Sequence, residues 1–217
     1  MENLQIAWEA LQFVGVMVYP LLFLGVLSLV ILLDKTFVYW RYTRLPTRLF
    51  SLVETYGFAW PDLEQQLKEL GPRNYFGRFF RTIQDNREKP VWWVESRAGD
   101  EAQLIEKALS RGLWILETIV TAAPLLGLLG TIAGMMNAFS IIGGKGLVEP
   151  SGITGGVAQA LIATAMGIFI ALVALFVFNF FSRLQSQTLD EMERLGTRLV
   201  DHIRFDQQGK EVGGETA

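Results

Sequence analysis

Three long stretches of the chain are free of charge and mostly apolar, while the segments between and after them are densely charged. Phe13 to Leu33 runs for 21 residues without Asp, Glu, Lys or Arg, Thr118 to Ile142 for 25 and Ser151 to Ser182 for 32. A run of about 18 or more apolar residues is long enough to cross the bilayer core as a helix. Only a helix satisfies the backbone polar groups of such a segment within itself. The pattern predicts an all-α integral membrane protein with three transmembrane helices. The first run has no basic residue ahead of it, only Glu2 and Glu9, and no small-x-small cleavage site follows it. It is read as a retained span and not as a signal peptide.

The charged segments carry helical periodicity as well. Pro61 and Asp62 open a stripe at Leu63, Leu67 and Leu70, which Gly71 and Pro72 close. Tyr75, Phe76, Phe79, Phe80 and Ile83 recur at helical spacing beside Arg73, Arg78 and Arg81. This face suits either a membrane-surface helix or a helix packed on a neighbour. Leu104, Ala108, Leu109, Leu113 and Leu116 keep the period into the second run, and no proline separates Val91 from Pro124. The second span is therefore expected to continue from one long helix. Leu184, Thr188, Met192, Leu195, Leu199 and Ile203 extend the third span in the same way. Helices two and three should thus reach into the cytoplasm as a helical stalk. Residues after Gln207 are rich in Gly and Glu and are expected to be disordered.

Charge sets the expected topology, because Lys and Arg collect on the cytoplasmic side of membrane spans. Lys35, Arg41, Arg44 and Arg48 follow the first span, Lys107 and Arg111 precede the second, and Arg183 follows the third. The N-terminus has no basic residue and the loop between spans two and three has only Lys145. The expected order is a periplasmic N-terminus (1–12), a first span (13–33), a cytoplasmic helical region (34–112), a second span (113–142), a periplasmic loop (143–153), a third span (154–182) and a cytoplasmic extension with its tail (183–217). The protein is expected in a membrane with its C-terminus in the cytoplasm. The 34–112 segment holds 13 Lys/Arg and 11 Asp/Glu, which fits a folded helical region better than a linker.

Composition removes several functions. No cysteine is present, so disulfides and thiol chemistry are excluded. His202 is the one histidine, in the polar tail, where solvation is the expected state. The net charge of −3 and the lack of a basic arm give no reason to expect nucleic-acid binding. No metalloprotease, nucleophile-elbow or phosphate-loop motif occurs, and the Gly143–Gly146 stretch lacks the Ser or Thr that a phosphate loop needs after Lys145. No enzyme activity, cofactor or metal is expected. Ser151 or Thr154 suits the cap of the third helix. The first span has only Tyr19 and Ser28 as polar groups, with Pro20 as a candidate bend, so a lipid-facing role suits it.

Polar residues inside membrane helices usually face protein or water. Spans two and three hold Thr118, Thr121, Thr131, Asn137 and Ser140, and Thr154, Gln159, Thr164 and Asn179. They lie among small residues at four-residue spacing: Ala123, Gly127 and Thr131; Gly130, Gly134 and Ala138; Ala160 and Thr164; Ala163, Gly167 and Ala171. Small residues at this spacing let membrane helices approach closely. Two readings stand side by side. The stripe is either packing surface, with each threonine bonded to its own helix, or the threonine-lined interior of an oligomeric bundle. No Asp or Glu lies deep in any span; Glu117 sits at the inner end of the second. If protons cross here, the central carboxylate comes from another chain or Glu117 serves.

The run from Thr121 to Met136, TAAPLLGLLGTIAGMM, is similar to the TAPLLGLLGTVxGM signature of the TolQ/ExbB/MotA family, in its ExbB/TolQ branch. Gly156 to Ile168, GVAQALIATAMGI, resembles the GIAEALxATAxGL segment, and Phe178-Asn179 resembles the closing YN. The resemblance covers about residues 104 to 183, and the three-span plan resembles TolQ and ExbB more than four-span MotA. It implies a homo-pentameric pore around two single-span ExbD/TolR-like subunits, each supplying a membrane aspartate. Proton flow past Thr131 and Thr164 would then drive a TonB- or TolA-like energy transducer. Thr121, Glu117, Gln159 and Asn179 are further candidates for the pathway or for packing. Gly127, Gly130, Gly134, Ala160 and Gly167 are candidates for helix contact. Two departures matter: Gln159 replaces an often acidic position, and the family's third-span proline is absent, with FIALV at 169–173. The competing reading is a non-conducting, anchoring membrane oligomer.

Overall fold

The computed structural model describes residues 16–55, 58–142 and 150–214. The expected N-terminal segment, the first residues of span one and most of the loop with Lys145 lie outside them. Among the described residues the regular structure is helical: α1 (Val18–Tyr42), α2 (Thr47–Glu54), α3 (Trp60–Glu69), α4 (Tyr75–Asp85), α5 (Val91–Ser110), α6 (Leu113–Ile142) and α7 (Pro150–Gly214). Three helical stretches are long and apolar enough to cross a membrane: Val18–Tyr42, Val91–Phe139 and Thr154–Gln208. The protein is a multi-pass membrane protein.

Three boundaries differ from the sequence expectation. The stretch through the second span is interrupted at Gly112, whose φ of +87° is open to a residue without Cβ. Helix α7 continues through Gly214, past the expected start of disorder at Gln207. It begins at Pro150, ahead of both expected caps, because proline is pre-set for the first helical position and has no N–H to leave unpaired.

Two compact units form. One, the apolar unit, comprises Met1–Leu33 and Gly112–Phe181; the other, the polar unit, comprises Asp34–Arg111 and Ser182–Ala217.

In the polar unit the aromatic face of α4 is buried, with Phe76, Phe79, Phe80 and Ile83 all in its core. Of the two readings of this face, packing within the protein is the one observed. Leu63 and Leu67 of α3, Leu49 and Val53 of α2, Val94, Ala98, Ile105 and Leu109 of α5, and Met192, Leu195, Leu199 and Ile203 of α7 join that core. Burying each large side chain stabilises the unit by about 1.5–3 kcal/mol. Leu104, expected on the α5 stripe, is exposed, and Ile105 occupies the inward position. His202, expected in solvent, stacks on Phe58 at 4.4 Å and tilts against Trp60 at 5.2 Å.

Helix ends in this unit are closed by side chains from elsewhere in the sequence. The last carbonyls of a helix have no partner within it and carry partial negative charge. Arg81 Nη2 donates to the Leu67 and Leu70 carbonyls at the end of α3, at 2.8 and 2.6 Å. Arg198 Nη1 donates to Glu54 O at the end of α2, at 2.7 Å. Lys35 Nζ, almost wholly buried, donates to Leu109 O at the end of α5, at 2.6 Å. At the start of α4, Asn74 Oδ1 accepts from Gly77 N at 3.0 Å while its Nδ2 donates to Arg44 O at 2.8 Å.

Candidate functional site

In the apolar unit α6 and α7 meet along an antiparallel seam of small residues. A Cβ built on Gly156 would lie 2.8 Å from Ala138 Cβ, one on Gly134 2.8 Å from Ala160 Cβ, and one on Gly130 2.7 Å from Ala163 Cβ. A Cβ on Gly127 would lie 3.0 Å from the backbone of Ala163 and Thr164, and one on Gly167 would come to 2.5 Å from Ala123 O. At the last two the neighbour is backbone, which cannot rotate away. These rungs bring Gly127, Gly130, Gly134, Ala160 and Gly167 together on one contact line. The first span adds to it: Gly25 of α1 faces Ile170 in ordinary contact, and Val18 clusters with Ala163 and Met166.

Thr164 lies on this line. Its Oγ1 donates to Gly127 O across the seam at 2.9 Å. The close approach makes the bond possible, because Gly127 has no side chain between its carbonyl and α7. The other threonines behave differently. Thr131 Oγ1 donates to Leu128 O at 2.6 Å, Thr121 Oγ1 to Thr118 O at 3.0 Å and Thr118 Oγ1 to Trp114 O at 2.9 Å, all within α6. Thr131 is half-buried, four residues from Gly127 and so on the same helix face. A threonine hydroxyl that has given its proton to a carbonyl keeps its lone pairs, so Thr131 and Thr164 both retain acceptor capacity.

The remaining candidates do not converge on the seam. Glu117 and Thr121 are exposed, one turn apart on α6. Asn179 is exposed on α7. Gln159 is half-buried, next to Ala160, and its side chain makes no hydrogen bond among the described residues. Pro124 lies inside α6 without ending it; its ring leaves the Val120 carbonyl without the usual intrahelical donor. No group of three or more metal-ligating side chains occurs among the described residues.

Sequence reasoning missed two residues that matter to this arrangement. Gly156 completes the seam beyond Gly134, although it stands inside the motif and its spacing to Ala160 was a readable signal. Lys35 served only as a topology marker; nothing in its local sequence indicates that its ammonium closes a helix 74 residues away.

A model of the MotA/TolQ/ExbB proton channel family matches residues 73–194. The chain is 32% identical over 191 residues to the biopolymer transport protein ExbB-like 1 of Synechocystis sp., covering 85% of this chain and 74% of that protein. It is 41% identical over 95 residues to the biopolymer transport protein ExbB of Aquifex aeolicus, covering 44% of this chain and 64% of that protein. With ExbB of Xanthomonas campestris it shares 39% identity over 93 residues, 43% of this chain and 37% of that protein.

Proposed function

The chain belongs to the MotA/TolQ/ExbB proton channel family, and on that premise we propose that it is the pore-forming scaffold of an inner-membrane motor driven by the proton gradient. In this reading it energises biopolymer transport, the role that the names of its ExbB relatives carry. Its N-terminus is periplasmic and its C-terminus cytoplasmic. The polar unit stands in the cytoplasm, and copies of the chain form a ring around a single-span partner.

The observation that carries the proposal is the Thr164–Gly127 hydrogen bond on the seam, with Thr131 one turn away on the same face. As they stand, both hydroxyls donate to carbonyls and can accept from a protonated carboxyl; each would solvate the ionised form by releasing its carbonyl and donating to the carboxylate instead. The three uncharged runs contain no Asp or Glu. A proton path needs a titratable group, so an aspartate on the partner's helix would supply it. Gln159 would orient that group by hydrogen bonding and could not relay its proton. The work would pass to a TonB- or TolA-like transducer.

The anchoring reading draws on Thr118, Thr121 and Thr131, whose hydroxyls bond within α6 as packing residues do. Native mass spectrometry of the full chain, alone and co-expressed with an aspartate-bearing single-span protein, separates the two. The motor reading expects a ring of copies that takes up partner chains, and proton flux that Thr131→Val and Thr164→Val abolish without dissolving the ring. Full flux in both variants, or no partner uptake, supports the anchor.

A further inference from the structure

The polar unit contains a cavity of ≈ 440 Å³ lined by the last residues of α1, the start of α2, Phe76 of α4 and the stretch of α7 from Leu184 to Glu191. That volume is within the range of small-molecule sites, about 300–1,000 Å³. Its apolar wall is Phe50, Phe76 and Leu184, and its charged groups are Arg44 and Glu191. Neither has an ion-pair partner among the described residues. The Arg44 guanidinium lies over the Trp40 ring at 5.2 Å. Thr47, also in the lining, keeps a hydroxyl with no hydrogen bond among the described residues. The other two lining threonines are already used: Thr43 donates to Tyr39 O and Thr188 to Leu184 O.

The cavity begins where the uncharged runs end. Leu184 follows Ser182 by two residues and Tyr39 follows Leu33 by six, about 3 and 9 Å along a helix. A headgroup layer is about 5–8 Å thick on each side of the hydrocarbon core. Glu191 is farther along, but a helical side chain leans back toward its helix N-terminus, here toward the membrane end of α7. The exposed ring of Trp40 is of the kind enriched at membrane–water boundaries.

We propose that this cavity is a binding site for the headgroup of a zwitterionic, amine-bearing phospholipid: Arg44 and Thr47 bind the phosphate, Glu191 accepts from the ammonium, and the Phe50, Phe76 and Leu184 wall holds the glycerol end of the chains. The pairing follows from charge. One cation and one carboxylate share a single cavity, and a phosphoethanolamine group carries the complementary anion and cation in one molecule. A purely anionic headgroup leaves Glu191 without a donor. A choline headgroup has no N–H to give it.

The proposal rests on the membrane placement given under Proposed function. It is tested on the full chain, delipidated in detergent and examined by native mass spectrometry with dioleoyl phosphatidylethanolamine, phosphatidylglycerol or phosphatidylcholine. Phosphatidylethanolamine should be retained about tenfold better than phosphatidylcholine, the difference of one charge-assisted hydrogen bond. Glu191→Gln should erase the preference over phosphatidylglycerol, and Arg44→Gln should weaken both lipids. Equal retention of all three lipids, or a preference untouched by both variants, overturns the site. Displacement by millimolar O-phosphoethanolamine as effective as by the lipid overturns the lipid as its source. Oligomer masses in the same spectra report folding, so a lost ring with an intact lipid preference counts against the motor and not against this site.

Discussion

The two units of this molecule use the same 3.6-residue period in opposite senses. In the apolar unit the residues of the α6–α7 seam are Gly, Ala and Thr, and many large side chains point away, Val26, Phe139, Phe169 and Phe176 each being more than half exposed, while Leu21, Leu116, Ile119 and Phe181 are buried. In the polar unit Phe76, Phe80, Leu63 and Ile105 are inside and the charges, apart from the buried Lys35, lie toward the surface. The solvent explains the inversion. Water drives large apolar groups together in proportion to their area. Lipid does not, so membrane helices associate through close backbone approach, dispersion and hydrogen bonds. Polar bonding differs correspondingly. In the apolar unit the Thr164 hydroxyl bonds across the seam to a carbonyl, whereas the polar unit closes helix ends with Lys35, Arg81 and Arg198.

The sharpest way to break this comparison is a paired glycine substitution. Gly167→Ala puts a Cβ 2.5 Å from Ala123 O, where backbone must move, and should cost about 3 kcal/mol or more. Gly99→Ala meets nothing within 4 Å and should stabilise α5 by about 0.5–1 kcal/mol, through helix propensity alone. Denaturation in detergent micelles measures both. Equal effects would mean that the seam is not the contact that holds the spans.

A phenylalanine pair comes next. Phe80→Ala should cost about 3–5 kcal/mol, while Phe176→Ala, 69% exposed, should leave the unfolding of a single chain within about 0.5 kcal/mol. A large cost at Phe176 in the assembled protein but not in the monomer would identify the exposed face as a subunit contact.

Removing a helix closure tests the polar unit's own device. Lys35→Ala leaves the Leu109 carbonyl unpaired and should cost about 1.5–3 kcal/mol, with the loss of protection localised by hydrogen exchange to the last turn of α5. Uniform loss across the unit would instead mark Lys35 as core packing. A small stability cost belongs to the residue with the largest proposed functional effect: Thr164→Val should cost about 0.6–1.7 kcal/mol and abolish proton flux in proteoliposomes.

Much of the fold is legible in one dimension because lipid imposes length and composition on any span. The three charge-free runs, the α4 face and the α7 stripe from Leu184 to Ile203 follow from spacing alone. Leu104 is the instructive failure. Leucine at 104 and isoleucine at 105 suit the period equally, and only the direction from which neighbours pack selects the second. His202 fails for a similar reason: a lone polar residue in a charged segment reads as solvated until Phe58 and Trp60, distant in sequence, come against it.

The sequence by itself determined the spans, the class of the protein and the seam's vocabulary of small residues, because each is a local property of composition and period. Tertiary structure decided which partner each group meets. The Thr164 hydroxyl could have bonded within its own helix, as Thr131 does, and instead crosses to Gly127 because two backbones come within reach there. Lys35 reads as a mark of membrane sidedness and becomes the closure of a helix end far along the chain. Arg44 and Glu191 stand 147 positions apart and line one cavity. Such pairings depend on the direction of whole helices, which no window of the sequence contains.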